Sequence, residues 1–306
     1  MPKVDDLVLF AQVIELGSFS KAAEVNELTN SVVSKRIARL ERELGATLIY
    51  RTTRRLSLSK AGQVLYQQAQ VIAQTSREAF DSVIDFNQSL QGHIKISVPT
   101  ISGELVLAEA IAEFCELHPD ISVDMSLDNR FVDPVNEGYD LVIRTGHLED
   151  SNLVARHILE SRWVICAAPK YISCHGMPMQ PEDLLKHNCL IYSYQESGAR
   201  DWLFTRNDTV YPLRVNGSFS TDNAAALRKA ALAGHGLAYV PRCLVYPDLQ
   251  AGTLVEVLPY QVGKVLGIYA VYPYSRQPPR RTKMLIEHIR SRYLDIKHYF
   301  NEVDHD

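Results

Sequence analysis

Along residues 4–16 the apolar side chains Leu7, Phe10, Ala11 and Ile14 recur at the spacing of one helical face. Ser18 is a candidate N-cap for a short helix through Ala22 and Ala23 to Val25, interrupted at residues 26–28. Thr29 is a second cap signal. It opens residues 30–44, where Val33, Ile37, Leu40 and Leu44 share a face and Gly45 supplies the stop. Ser31, Lys35 and Arg42 fall on the opposite face, with Ser34 and Arg39 on its flanks. Residues 47–51 and 55–58 then alternate as two short strands around Thr52, Thr53 and Arg54. The pattern predicts three helices and a basic-tipped wing.

Gly62 and Gly92 bracket a stretch holding neither Gly nor Pro, in which Leu65, Ala69, Ile72, Ser76, Ala79, Val83, Phe86 and Leu90 alternate at intervals of four and three. That heptad register predicts a long helix with a partner helix along its seam, brought close by the small Ala69, Ser76 and Ala79. A helix packed on its own domain is the alternative. The sustained register favours dimerisation.

After Gly92 strands alternate with helices. Residues 94–98 read as a strand closed by Pro99, 102–118 as a helix ended by Pro119, and 121–125 as a strand. A helix near 132–137 and a strand at 140–144 follow, so the βαβαβ order implies a parallel sheet with helices outside it. A second unit begins near Arg162, with strands at 163–168, 190–192 and 237–240 and helices at 181–186 and 222–233. A last strand at 267–272 and a helix at 280–294 return to the first unit.

Charge sharpens the reading of the first segment. Residues 35–60 hold eight Lys/Arg against two Glu, while the whole chain carries −4. Such a concentration is the footprint of a polyanion-binding surface, and a helix-turn-helix carrying it points to double-stranded DNA. The candidate DNA contacts are Ser18, Thr29, Asn30, Ser31, Ser34, Lys35, Arg36 and Arg39 on the helices, and Arg51, Thr53, Arg54 and Arg55 on the wing.

Ligands of open α/β sheets sit beyond the carboxyl ends of the strands, near helix N-termini. Thr100, Ile101 and Ser102 follow the first strand, and Thr221 and Asp222 open a helix in the second unit. Two such termini facing one cleft would favour an anion such as a carboxylate. Arg144, Thr145, Gly146, Ser193, Gln195 and Val240 would complete the walls. Tyr192, Tyr194 and Tyr239 suit an aromatic site or the core equally.

Composition adds limits. At 306 residues, 46% hydrophobic and 22% charged, the chain suits two or three ordinary globular domains. The N-terminus lacks the apolar core of a secretory signal, and no apolar run reaches bilayer length, so a cytoplasmic chain without membrane contact is expected. Five cysteines form no Cys-x-x-Cys pair and ten histidines show no metal spacing; His298 and His305 read as part of a solvated tail. No Gly-x-Ser-x-Gly elbow or phosphate-binding glycine loop is present, so no catalytic residue, metal or cofactor is assigned.

Phe10, Val13, the run Gly17-Ser18-Phe19-Ser20, Ala22-Ala23, Val33, Ser34, Ile37, Leu40-Glu41, Leu44-Gly45, Leu48, Arg51 and Ser59-Lys60-Ala61-Gly62 together resemble the N-terminal signature of LysR-type transcriptional regulators. The chain departs from it at Asn30-Ser31, Ile49-Tyr50 and Asn26-Glu27. Asp140 to Arg144, Ala167-Ala168-Pro169-Lys170-Tyr171, Ala230 to Pro241 and Gly252-Thr253-Leu254-Val255 are similar, more loosely, to that family's effector domain. The resemblance implies an α/β chain with an N-terminal all-α winged helix-turn-helix (1–61), a long linker helix (62–91) and a two-lobed, periplasmic-binding-protein-like effector domain. Lobe I would comprise 92–160 and 266–295, lobe II 161–265, with crossovers near Glu160 and Val265 and a tail at 296–306. It implies an operator, a small-molecule effector, a dimer or tetramer of the chain itself and RNA polymerase as partners. Three alternatives stay open: an oxidant sensor acting through Cys174 and Cys189, an architectural DNA binder without effector, and an enzyme fused to a DNA-binding module.

Overall fold

The computed structural model describes residues 2–51, 56–86, 90–130, 132–146, 153–194, 198–273 and 278–301, without the side chains of 51, 74 and 77–86. The chain begins with α1 (Val4–Glu15), α2 (Phe19–Val25) and α3 (Asn30–Leu44). Ser18 Oγ accepts the Lys21 N–H at the start of α2, and Thr29 Oγ1 accepts the Val32 N–H at the start of α3. Gly45 ends α3 in the left-handed conformation its missing Cβ permits, at φ 63°. Phe10, Val13, Ala22, Val33 and Ile37 are wholly buried where the three helices meet. Asn26 Nδ2 donates to Gln12 Oε1 at 2.8 Å, which fastens the turn between α2 and α3 to α1.

The wing follows as β1 (Ile49–Arg51) and β2 (Leu56–Leu58), antiparallel with Ile49 opposite Leu58. Glu41 Oε1 accepts the Leu48 and Ile49 N–H groups, so this acid of the basic segment serves the fold. The run Ser59 to Gly62 has a local cause. Ser59 Oγ accepts the Gly62 N–H at 2.9 Å and donates to the Thr47 carbonyl, drawing Gly62 against the backbone of Leu48.

The linker helix α4 (Lys60–Phe86) is a single helix. Its first seam positions do not wait for a partner: Ala69 is fully buried, and with Leu65 it packs into the core of the winged domain. The heptad register there is shared with α1 of the same chain. The side chains of Ala79, Val83 and Phe86 lie outside the described ones. Lys95 Nζ stands 2.6 Å from Glu15 Oε1, an ion pair joining the end of α1 to the sensor.

The sensor opens with β3 (Gly92–Val98), followed by α5 (Thr100–Ser102), a π-helical turn (Gly103–Leu107), α6 (Ala108–Leu117), β4 (Ile121–Leu127) and β5 (Leu141–Gly146). β6 (Leu153–Ala167) crosses to a second unit of α7 (Pro169–His175), a 3-10 turn (Pro181–Lys186), β7 (Cys189–Tyr192), β8 (Asp201–Arg206), β9 (Thr209–Arg214) and β10 (Ser220–Thr221). That unit continues through α8 (Ala224–Leu232), β11 (Leu237–Pro241), α9 (Arg242–Gln250) and β12 (Val255–Val257). β13 (Val265–Pro273), α10 (Arg280–Asp295) and α11 (Lys297–Phe300) return to the first. The strand order is β10-β7-β11-β6-β13-β5-β3-β4, with β12 also on β6. β3 is parallel to β4 and β5, and β7 to β10 and β11, whereas β6 and β13 run antiparallel to their neighbours. Each unit has its own core: Ile94, Ile96, Phe114, Leu141 and Ile289 in lobe I, and Leu184, Trp202, Leu227 and Tyr239 in lobe II.

Two expectations change, and some elements were not foreseen. The helix expected near 132–137 is a set of turns: Asp133 Oδ1 accepts the Val135 and Asn136 N–H groups as a cap, and Gly138, at φ 68°, ends the turn at once. The β8–β9 hairpin and α9 were not legible as elements. Residues 296–301 are no solvated tail: α11 packs on lobe I with Phe300 1% exposed, and His298 packs against Tyr246 and Tyr299. His305 lies outside the described residues.

Two tests follow from this packing. A Cβ at Gly62 would lie 2.1 Å from the Leu48 carbonyl oxygen, so Gly62→Ala is expected to cost about 1–3 kcal/mol of winged-domain stability in urea unfolding. Asp6 is 2% exposed and bridges Arg36 and Arg39. Burial pushes its carboxyl up, but the hydrogen bonds from Arg39 and Arg36 outweigh this and hold it below the ordinary 3.8. Its contribution is therefore complete above that value and is lost as pH falls through the lower, folded-state value. Asp6→Asn should cost about 2 kcal/mol near neutral pH, between exposed-pair and buried-pair values, and flatten the acid limb of stability against pH.

Candidate functional site

The α3 helix divides cleanly. Val33, Ile37 and Leu40 are buried, while Asn30, Ser31, Lys35 and Arg42 are exposed. Local hydrogen bonds set the polar end: Thr29 Oγ1 lies 3.0 Å from Ser31 Oγ, and Asn30 Nδ2 donates to Ser20 Oγ at 3.1 Å. Ser34 is half-buried on the flank, and so is Ser18, which caps α2. Arg36 and Arg39 are placed differently from the expectation. Arg36 Nε donates to Asp6 Oδ1 at 2.6 Å and Arg39 is bonded to Asp6 Oδ2, so both guanidinium groups are turned toward α1 and anchor the helix. Thr53, Arg54, Arg55 and the side chain of Arg51 lie outside what is described.

Between the two lobes lies a cavity of about 720 Å³. Of the residues expected there, Ile101, Ser102, Arg144, Thr145 and Ser193 line it. Thr100 does not; its N–H donates to Asn129 Oδ1 at 3.0 Å, so that helix terminus already has an acceptor. Gly146, Thr221 and Asp222 are not among the lining residues, and Gln195 lies outside the described ones. The cap of α8 is Asn223, whose Oδ1 accepts the Ala226 N–H at 3.0 Å, in place of Asp222. Val240 is corrected outright: strand alternation turns it wholly into the lobe II core, and its neighbour Pro241 lines the cleft instead. The expected meeting of two helix N-termini is thus absent from the cavity wall.

Lobe II contributes other groups. Tyr192, Tyr194 and Trp163 line the cavity, as does Lys264, which is 6% exposed. The Lys264 ammonium lies 3.6 Å from the centroid of the Trp163 ring and 5.8 Å from that of Tyr239, a cation–π arrangement. Backbone pairing fixes it there, since the Trp163 N–H donates to the Lys264 carbonyl at 3.0 Å. Asp128 and Arg130 join the wall as an ion pair at 2.6 Å, and Arg130 also reaches Glu137. Phe300 and Cys243 complete it, and burial pushes the Cys243 thiol up to about 12. The one signal for Lys264 in the sequence was its position beside the crossover expected at Val265.

The five cysteines are all free, and among the described residues no cluster could hold a metal ion. Cys174 is exposed, whereas Cys189 is fully buried with its Sγ on the Leu184 carbonyl, and burial pushes its thiol up to about 12. A thiolate is the reactive form, so this favours packing over redox chemistry for Cys189. No helix among the described residues is long and apolar enough to cross a membrane.

Two family models match the chain: the bacterial regulatory helix-turn-helix protein, lysR family, over residues 4–63, and the LysR substrate binding domain over residues 87–293. The probable HTH-type transcriptional regulator LtrA of Klebsiella pneumoniae is 32% identical over 287 residues, covering 93% of each chain. Among solved structures, the full-length virulence activator AphB of Vibrio cholerae, described as a member of the LTTR family, superposes with a TM-score of 0.60 at 27% identity, covering 94% of this chain and 98% of AphB. CrgA of Neisseria meningitidis, a LysR-type transcriptional regulator, gives 0.56 at 30% identity, covering 97% and 99%. With both of its segments matched and its relatives similar along nearly their whole length, the chain belongs to the LysR-type transcriptional regulator family.

Proposed function

We propose that this regulator reads a two-fold operator with the α3 helices of paired subunits and is controlled by a small molecule held between lobes I and II. The observation that carries the reading is the split surface of α3, with Asn30, Ser31 and Lys35 exposed on a helix whose other face is locked into a core. The Thr29 cap on the α3 backbone and the side-chain pairing of Arg36 with Asp6 hold the helix that presents those groups. The cavity supports the second half of the proposal, because both lobes supply its walls and its size suits a metabolite. An effector with different affinities for two lobe arrangements would shift the population toward one of them, and the pairing of α4 helices would convert that shift into a new spacing of reading heads.

In gel-shift titrations at several salt concentrations, Lys35→Ala should weaken binding to every sequence alike and reduce the salt slope by about one. Ser34→Ala should instead change the ranking of operator variants at constant slope. Unchanged affinity and ranking in both variants would remove α3 from the interface.

A further inference from the structure

We infer that the C-terminal turn α11 is a strap between the lobes, which restricts how far they turn about β6 and β13; the inference goes beyond the proposed function and needs no occupant of the cleft. Phe300 anchors the segment in lobe I. It is 1% exposed in the core of that lobe, with its ring centroid 5.6 Å from that of Tyr293 on α10. Asn301 Nδ2 fastens the next residue to the crossover, donating to the Glu160 carbonyl of β6 at 2.8 Å. The other side of the segment is held by lobe II. Arg242, the first residue of α9, donates through Nη1 to the His298 carbonyl at 2.6 Å and to the Tyr299 carbonyl at 3.3 Å. A guanidinium suits the carbonyl end of a helical turn, where acceptors lack partners within the helix.

Aromatic contacts reinforce the same junction. The Arg242 guanidinium lies 4.9 Å from the centroid of the Tyr246 ring, and Tyr246 stacks on Tyr299 with centroids 4.4 Å apart at 31°. Helix α9 itself is rooted in lobe II: Val245 is wholly buried in that core, and Asp248 pairs with Arg228 of α8 at 2.5 Å. The lobes are therefore joined through the backbone by β6 and β13 and through side chains by α11 on α9. A rotation of lobe II against lobe I draws Arg242 away from carbonyls that Phe300 fixes in a close-packed core. A hydrogen bond from a charged donor holds the fastened arrangement, and its loss multiplies the detached population by about tenfold or more.

The distance between two spin labels in the full-length chain tests this. One label sits on Cys174, exposed on α7 of lobe II, and the other on Asp120→Cys, at an exposed position before β4 of lobe I. Half-buried Cys115 is replaced by Ser, while Cys166, Cys189 and Cys243 are buried. Labelled chain is mixed with an excess of unlabelled chain, so that only distances within one chain are read. Arg242→Met is expected to broaden the distance distribution as detached arrangements gain population, with the far-ultraviolet circular dichroism unchanged. Arg242→Lys keeps a charged donor and should stay closer to the original width. Arg228→Met is the control, because it breaks the pair with Asp248 inside lobe II; it should lower thermal stability and leave the distribution in place. An unchanged distribution in folded Arg242→Met overturns the inference. Equal broadening in Arg228→Met overturns it too, since that marks a loosened lobe II in place of a released strap. If Arg242→Met does not fold, Tyr246→Ala, which removes the stacked ring and keeps the arginine, decides by the same readout.

Discussion

The ladder from Val265 opposite Arg162 to Pro273 opposite Leu153 ties β6 to β13, and the same two strands carry one lobe on each side. β6 meets β11 and β12 beyond Trp163, and β13 meets β5 from Gly267 onward. A change in the angle between lobes must therefore be absorbed by twist in these two strands. The register shift at Ile268/Tyr269 lies within that ladder, and a bulge increases local twist where it occurs. Trp163 and Lys264 stand at the crossover itself, so a ligand touching them acts where the hinge strain would fall.

The reading head obeys a different constraint. Its three-helix core is small, and its orientation is fixed by one buried carboxylate holding two guanidinium groups of α3. That arrangement gives α3 a defined roll about its axis, which apolar packing alone specifies less sharply. The head also rests on the sensor through Glu15 and Lys95, and the Lys95 ammonium lies over the Tyr139 ring at 4.9 Å. These contacts join lobe I to the end of α1, the helix that holds Asp6.

The periodic elements were legible in the sequence because local signals and packing agreed there: caps at Ser18 and Thr29, the stop at Gly45, and the alternation of 94–98. The destination of charged side chains was not. Arg36 and Arg39 sit on a basic helix and read as DNA contacts, since nothing local reveals that Asp6, thirty residues earlier, lies across the bundle. Val240 failed for the opposite reason: strand parity decides which of two neighbours faces the cleft, and the register is set by β6. Lys264 was hidden because a lysine in a loop ordinarily reads as solvated, and its burial arises from the crossover packing of Trp163 and Tyr239. The α11 segment was misread because its acidic end suggested a tail, while Phe300 and the acceptance of Arg242 by the His298 carbonyl bind it down.

Charge is unevenly distributed along the chain. The segment 35–60 is strongly basic although the chain as a whole carries −4, so the remainder is more acidic than the total suggests. Attraction for the phosphate backbone is therefore concentrated in that one segment. The head needs a dense basic patch because the rest of the chain carries charge of the opposite sign.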